Sequence, residues 1–272
     1  MTLKNNDDNN YNNGYSSYDN SYNNDYNNNY YNSYNQNYNQ GYNQGYGNAG
    51  HQAAYYQNTY VNQDEVTPQS YNMIIGATLL YGFVVNIIMI ATCYDFVANI
   101  NPVVFYVLYF GMALAGGLMV HRSDNPVISF IGYNLYVLPL GMVLTLTINM
   151  LLGYGYESMI ITAFAITAIV TVVMMILGAV FPSFFLSIGS TLCVSLLITV
   201  IVEIVLALLG INLGIISYIV VLIFCGYIGY DWAKANAVPK TIDNAIDSAA
   251  ELYVDIIALF MRVLSILARA ND

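Results

Sequence analysis

Charge is scarce in this chain. Only 8% of its 272 residues are Asp, Glu, Lys or Arg, and just six of these are basic against sixteen acidic. With 57% hydrophobic residues and a mean hydropathy of +0.52, that scarcity excludes an ordinary soluble domain. The formal charge of -10 provides no cationic surface for phosphates, so no nucleic-acid partner is expected. Histidine is nearly absent. His51 and His121 are the two present, and no HExxH zinc motif can be written from them. No GxSxG elbow occurs either, so no enzymatic activity is expected. The three cysteines, Cys93, Cys193 and Cys225, all lie in apolar runs and read as small core residues, not disulfide or metal ligands. The start, "MTLKNNDDNNYNNGY", lacks the basic and apolar stretches of a signal peptide, so the N-terminal region is expected to be retained.

What is present divides near residue 66. Residues 1 to 65 are dominated by Tyr, Asn, Gln and Gly, with a four-residue repeat in "YNQNYNQGYNQGYG", and carry six of the acids. So little aliphatic surface predicts a disordered tail, solvated or able to recruit a protein partner through its regularly spaced aromatics. Residues 66 to 272 form the second region. Seven apolar segments, near 73–94, 102–120, 127–150, 158–181, 184–209, 212–230 and 249–268, each approach the roughly 20 residues that span a bilayer. Backbone polar groups in lipid must pair within their own segment, so these runs predict helices. Pro102, Pro126, Pro182 and Pro239 fall at or beside the breaks, whereas Pro139 lies inside the third segment and predicts a kink. The expected fold is an all-α membrane protein, a seven-helix bundle behind a disordered tail.

The cations orient it. Lys4, His121-Arg122, Lys234 and Lys240 share one side, which the positive-inside bias makes cytoplasmic together with the N-terminus. The seventh segment is the least compatible with lipid, because Glu251, Asp255 and Arg262 fall within one stretch of it. Six apolar segments are available to surround it, so it is expected at the centre. Charges at membrane depth cost at least about 2.5–3.5 kcal/mol if exposed to lipid, and they mark ion or proton paths. Asp255 therefore needs a partner, and Arg262, two turns away, is too distant along the helix. Asp231 closes the sixth segment in "GYIGYD". The connection "TIDNAIDSAAELY" reads as helix, with Thr241 as N-cap and Asp243, Asp247, Glu251 and Asp255 four residues apart, a ladder that could focus cations or be a solvated face.

"GYIGYD", followed some twenty residues later by "AAELYVDIIALFMRVLSIL", resembles the closing signature of the Bax inhibitor family of seven-helix membrane proteins, whose last helix carries Leu-Tyr-Leu-Asp-Ile-Ile-Asn-Leu-Phe. "SFIGYNLYVLPLG", "TAFAITAIV" and "SIGSTL" extend the likeness over roughly residues 70 to 268. Ala258 departs from the motif's Asn, Gly111 stands where many members carry a carboxylate, and "FPSFF" replaces a polar, basic loop. The resemblance implies a calcium-permeable leak path gated by protonation. Asp231 and Asp255 would be its proton-sharing pair and pH sensor, and Arg122 their gating partner, although an arginine at a helix end also serves as a topology anchor.

Glu203 and Glu251 are further candidate pathway acids. Glu203 lies mid-segment with no local cation, and is either an oxygen ligand or a neutral carboxyl bonded to a carbonyl. Asn86 and Asn134 could add oxygens or join helices. Small residues at Gly111, Ala113, Ala115 and Gly117 predict close packing of the second helix. Calcium is expected as the transported ion and no cofactor is expected. The lipid bilayer is the surrounding partner, in the inner membrane of a bacterium or an endomembrane of a eukaryote. The competing class is a non-transporting membrane interaction protein that regulates a stress response or a membrane protease.

Overall fold

The computed structural model describes residues 65–210 and 214–270. The expectations for the tail and His51 lie outside these, apart from Glu65. Among the described residues the chain forms eight helices: α1 Pro68–Thr92, α2 Tyr94–Ala98, α3 Pro102–Arg122, α4 Pro126–Gly153, α5 Glu157–Val180, α6 Pro182–Leu208, α7 Gly214–Ala237 and α8 Ile242–Ala270. Six, α1 and α3 to α7, are long and apolar enough to cross a membrane by length and composition. The seventh long helix, α8, does not meet that measure, and α2 is a single short turn of five residues beyond the expected segments.

The helix starts follow from local chemistry. Pro68, Pro102, Pro126 and Pro182 each open a helix, where a missing N–H leaves no bond unmade. Thr67, Asn101 and Asn125 cap three of these starts through their side-chain oxygens. Thr241 caps α8 as its sequence suggests, its Oγ1 accepting from Asn244 N at 3.1 Å. Gly155 and Gly210 follow α4 and α6 at φ of 78° and 68°, where a Cβ would be strained. Pro139 lies within α4, which runs unbroken across it.

Helix α8 sits at the centre, packed on α7, α1, α4 and α5, with α3 reached more slightly. Its polar and small residues face inward: Asp243, Asn244, Ala245, Ser248, Ala249, Ala250 and Asp255 are all buried. The surrounding helices instead turn large apolar side chains outward, among them Phe110, Phe164, Leu197 and Leu222. That inversion suits lipid, where contact between apolar helices gains little over contact with acyl chains and close backbone approach supplies the packing. Gly178 of α5 meets Gly229 of α7, where a Cβ built on Gly178 would lie 2.4 Å from the Gly229 carbonyl oxygen. In α3, Gly116 against the Gly132 carbonyl of α4 and the expected Gly117 against the Tyr136 hydroxyl allow close approach, while Gly111 faces open space. The cysteines are free; Cys93 and Cys225 are half-buried, but Cys193 is exposed on α6, because its run is apolar on every face and the core is not where apolar residues must go in lipid.

Candidate functional site

The site grows from the antiparallel packing of α7 and α8. Three side-chain contacts set their register: Lys234 to Glu251, Asp231 to Asp255, and Arg269 to Ser217, whose Oγ accepts from Nη1 at 3.0 Å. Residues along α8 repeat every turn, so Glu251 and Asp255 project the same way and meet positions 234 and 231 on the facing helix. Asp231 and Asp255 are 6% and 7% exposed, and their carboxyl groups are hydrogen-bonded to each other. A bond between two carboxyls requires a proton on one of them. The second Asp255 oxygen, Oδ2, accepts no bond from the protein.

One turn nearer the start of α8, Lys234 Nζ donates to Glu251 Oε1 at 2.6 Å, and His121 Nδ1 stands 3.6 Å from the same oxygen. Glu251 thus bridges α8, α7 and the end of α3. Arg122 is not brought to the aspartate pair. It is exposed at the end of α3, while the neighbouring His121 turns toward Glu251, because adjacent helical residues point about 100° apart.

Glu203 is corrected most plainly. Instead of a carboxyl lacking a cation, it receives two parallel bonds from Arg262, Nη1 to Oε1 at 2.5 Å and Nη2 to Oε2 at 2.7 Å. The partners are 59 residues apart, on α6 and α8, so no local pattern could reveal them. This fork also explains Arg262 in the central helix. It lies two turns beyond Asp255, away from the aspartate pair.

The two amides, Asn86 buried and Asn134 half-buried, join helices. Asn86 Nδ2 of α1 donates to the Tyr253 hydroxyl of α8, and Asn134 of α4 accepts from Tyr81 of α1 at 2.8 Å. Tyr133 donates to the Thr78 carbonyl at 2.8 Å and stacks edge-on to Tyr253. Sequence reasoning missed Tyr71, which is fully buried at the start of α1, with its hydroxyl 3.0 Å from Ser248 Oγ. Its aromatic character four residues after the cap, in the first turn of the helix, was the available signal. Among the described residues no group of three or more His, Cys, Asp or Glu side chains is placed to hold a metal.

A helical bundle with apolar outer faces, a polar central helix and a buried, hydrogen-bonded carboxyl pair defines a polytopic membrane protein with an ionisable interior. The family model described as Inhibitor of apoptosis-promoting Bax1 matches residues 63–272, and the chain belongs to this Bax inhibitor family. No curated protein matches the chain.

Proposed function

We propose that the protein is a pH-sensitive, calcium-permeable leak channel or transporter whose switch is the Asp231–Asp255 pair. The observation that carries this reading is the carboxyl–carboxyl bond between the last two helices in a buried setting. While the pair shares a proton it carries one charge and ties α7 to α8. Loss of that proton replaces an attraction by repulsion between two carboxylates in contact, a local change able to bias the packing of the two helices and admit a cation. The two groups act as one titrating unit. Lys234 and Glu251 lie one turn away and form the polar continuation of the same seam. Calcium is the transported ion in this reading, and the role is transport, not catalysis. The end of the bundle that gathers His121, Arg122, Lys234 and Lys240 is assigned to the cytoplasm with the N-terminus.

The test is calcium flux into proteoliposomes of purified protein as a function of pH. Wild type should show a pH-dependent flux. Asp231→Asn and Asp255→Asn should each flatten the profile between about pH 6 and 8, and the double variant should add little, because either change alone abolishes the unit. Both single variants keeping the wild-type profile would refute the shared-proton switch. Absence of any flux from folded protein would instead favour a membrane interaction protein that does not transport.

A further inference from the structure

A second oxygen cluster lies at the end of the bundle where α8 begins, outside the Asp231–Asp255 contact. Asp243 and Asp247 occupy the first two turns of α8, one turn apart and on the same face. Both carboxyls face the hydroxyl of Ser129 in the first turn of α4. Ser129 is fully buried and Asp243 is 1% exposed. Neither Ser129 Oγ, nor either carboxyl oxygen of Asp243, nor Asp247 Oδ1 completes a hydrogen bond within the protein.

Chemistry restricts what can satisfy this group. A serine hydroxyl has one hydrogen to donate, so it can serve only one of the two carboxyl groups beside it. Buried polar atoms are otherwise paired, and each left unpaired costs about 1–3 kcal/mol. The surrounding charges favour a positive occupant. The charge of Asp124 acts on Asp243 and that of Glu251 on Asp247, while Lys234, whose charge also acts on Asp247, is bonded to Glu251. Two carboxyl groups beside one hydroxyl offer hard oxygen donors, the kind that Ca2+ takes, completing its shell with water or carbonyls.

We propose that Asp243, Asp247 and Ser129 form a binding site for a calcium-class divalent cation, which links the start of α8 to the start of α4. The site is separate from the proton-sharing pair and does not depend on the protein conducting ions. It gives the bundle a place to sense the cation at the end from which Lys234 and Glu251 lead to Asp231 and Asp255.

The test measures radiolabelled Ca2+ binding to the full chain in detergent at neutral pH and physiological ionic strength. Wild type should bind saturably, Asp243→Asn or Asp247→Asn should weaken that binding by at least about tenfold through loss of one of two ligand charges, and the double variant should lose the site. Ser129→Ala keeps both charges and should weaken binding a few-fold, which keeps the test available if the Asn variants fail to fold. Asp231→Asn should bind Ca2+ as wild type does while losing its pH-dependent flux, so the two sites fail or succeed separately. Wild-type binding equal to that of the double variant, or an affinity unmoved by Ser129→Ala, would overturn the proposal.

Discussion

The fork between Arg262 and Glu203 offers a test in which the two halves of one ion pair respond differently to pH. Its bonds of 2.5 and 2.7 Å join α8 to α6, with the side chains 29% and 14% exposed. With the two charge centres roughly 4 Å apart, an effective dielectric near 20 gives an attraction of about 4 kcal/mol, and breaking a fully buried pair costs about 3–5 kcal/mol. The residual exposure of Arg262 brings the expected cost of Glu203→Gln down to about 2–3 kcal/mol. The arginine left behind cannot shed its proton, so that penalty should be the same at pH 5 and pH 7. Arg262→Met leaves a carboxylate, which has an escape. Protonating an ordinary Glu carboxylate at pH 7 costs about 3.7 kcal/mol, and at pH 5 only about 1 kcal/mol, so these values are ceilings on the penalty. Arg262→Met should therefore be nearly tolerated at pH 5, while Glu203→Gln should not. The combined Glu203→Leu/Arg262→Met variant removes both charges and should return close to wild type. Reversible unfolding of purified protein in bilayer discs, each variant compared with wild type at each pH, reads all three. Equal penalties for Arg262→Met at the two pH values, or no penalty for either single variant, would refute the assignment of the fork as the partner that makes these charges tolerable.

Two further expectations rest on separate contacts. Gly178→Ala places a Cβ 2.4 Å from the Gly229 carbonyl and must separate α5 from α7, at about 1–3 kcal/mol in the same unfolding assay, whereas Gly76→Ala meets nothing within 4 Å and should be neutral. Lys240 closes the α7 end by donating to the carbonyls of Ala235, Asn236 and Val238, over the ring of Tyr71. Burial nevertheless lowers its pKa from 10.5 to about 8. Between those values the unfolded chain holds a proton that the folded protein has released, so stability should rise with pH, by at most about 3 kcal/mol across the window. Lys240→Met should lose that slope, and wild-type and variant stability curves that run parallel from pH 8 to 10 would show that Lys240 does not carry it.

Much of the bundle is written locally. Runs of apolar residues about one bilayer long, with Pro68, Pro102, Pro126 and Pro182 at their starts, specify helices because a backbone in lipid must satisfy itself within its own segment. The Thr241 cap and the four-residue spacing of Asp243, Asp247, Glu251 and Asp255 are equally local, since one turn of helix returns a side chain to the same face. Even the central place of α8 was legible, because a helix with that many polar residues has nowhere else to go when the rest are apolar. The departures arise where the answer depends on register between segments. Whether Arg122 turns toward the aspartate pair or His121 toward Glu251 depends on the rotation of α3 about its axis, which uniform apolar composition leaves undetermined. Glu203 finds Arg262 only once α6 has docked on α7, and Ser129 reaches Asp243 and Asp247 only once α4 has docked on α8. Hydropathy reports whether a segment enters the membrane, but a lone charge or hydroxyl on it acquires its partner from the neighbouring helix, and only the packed bundle decides which neighbour that is.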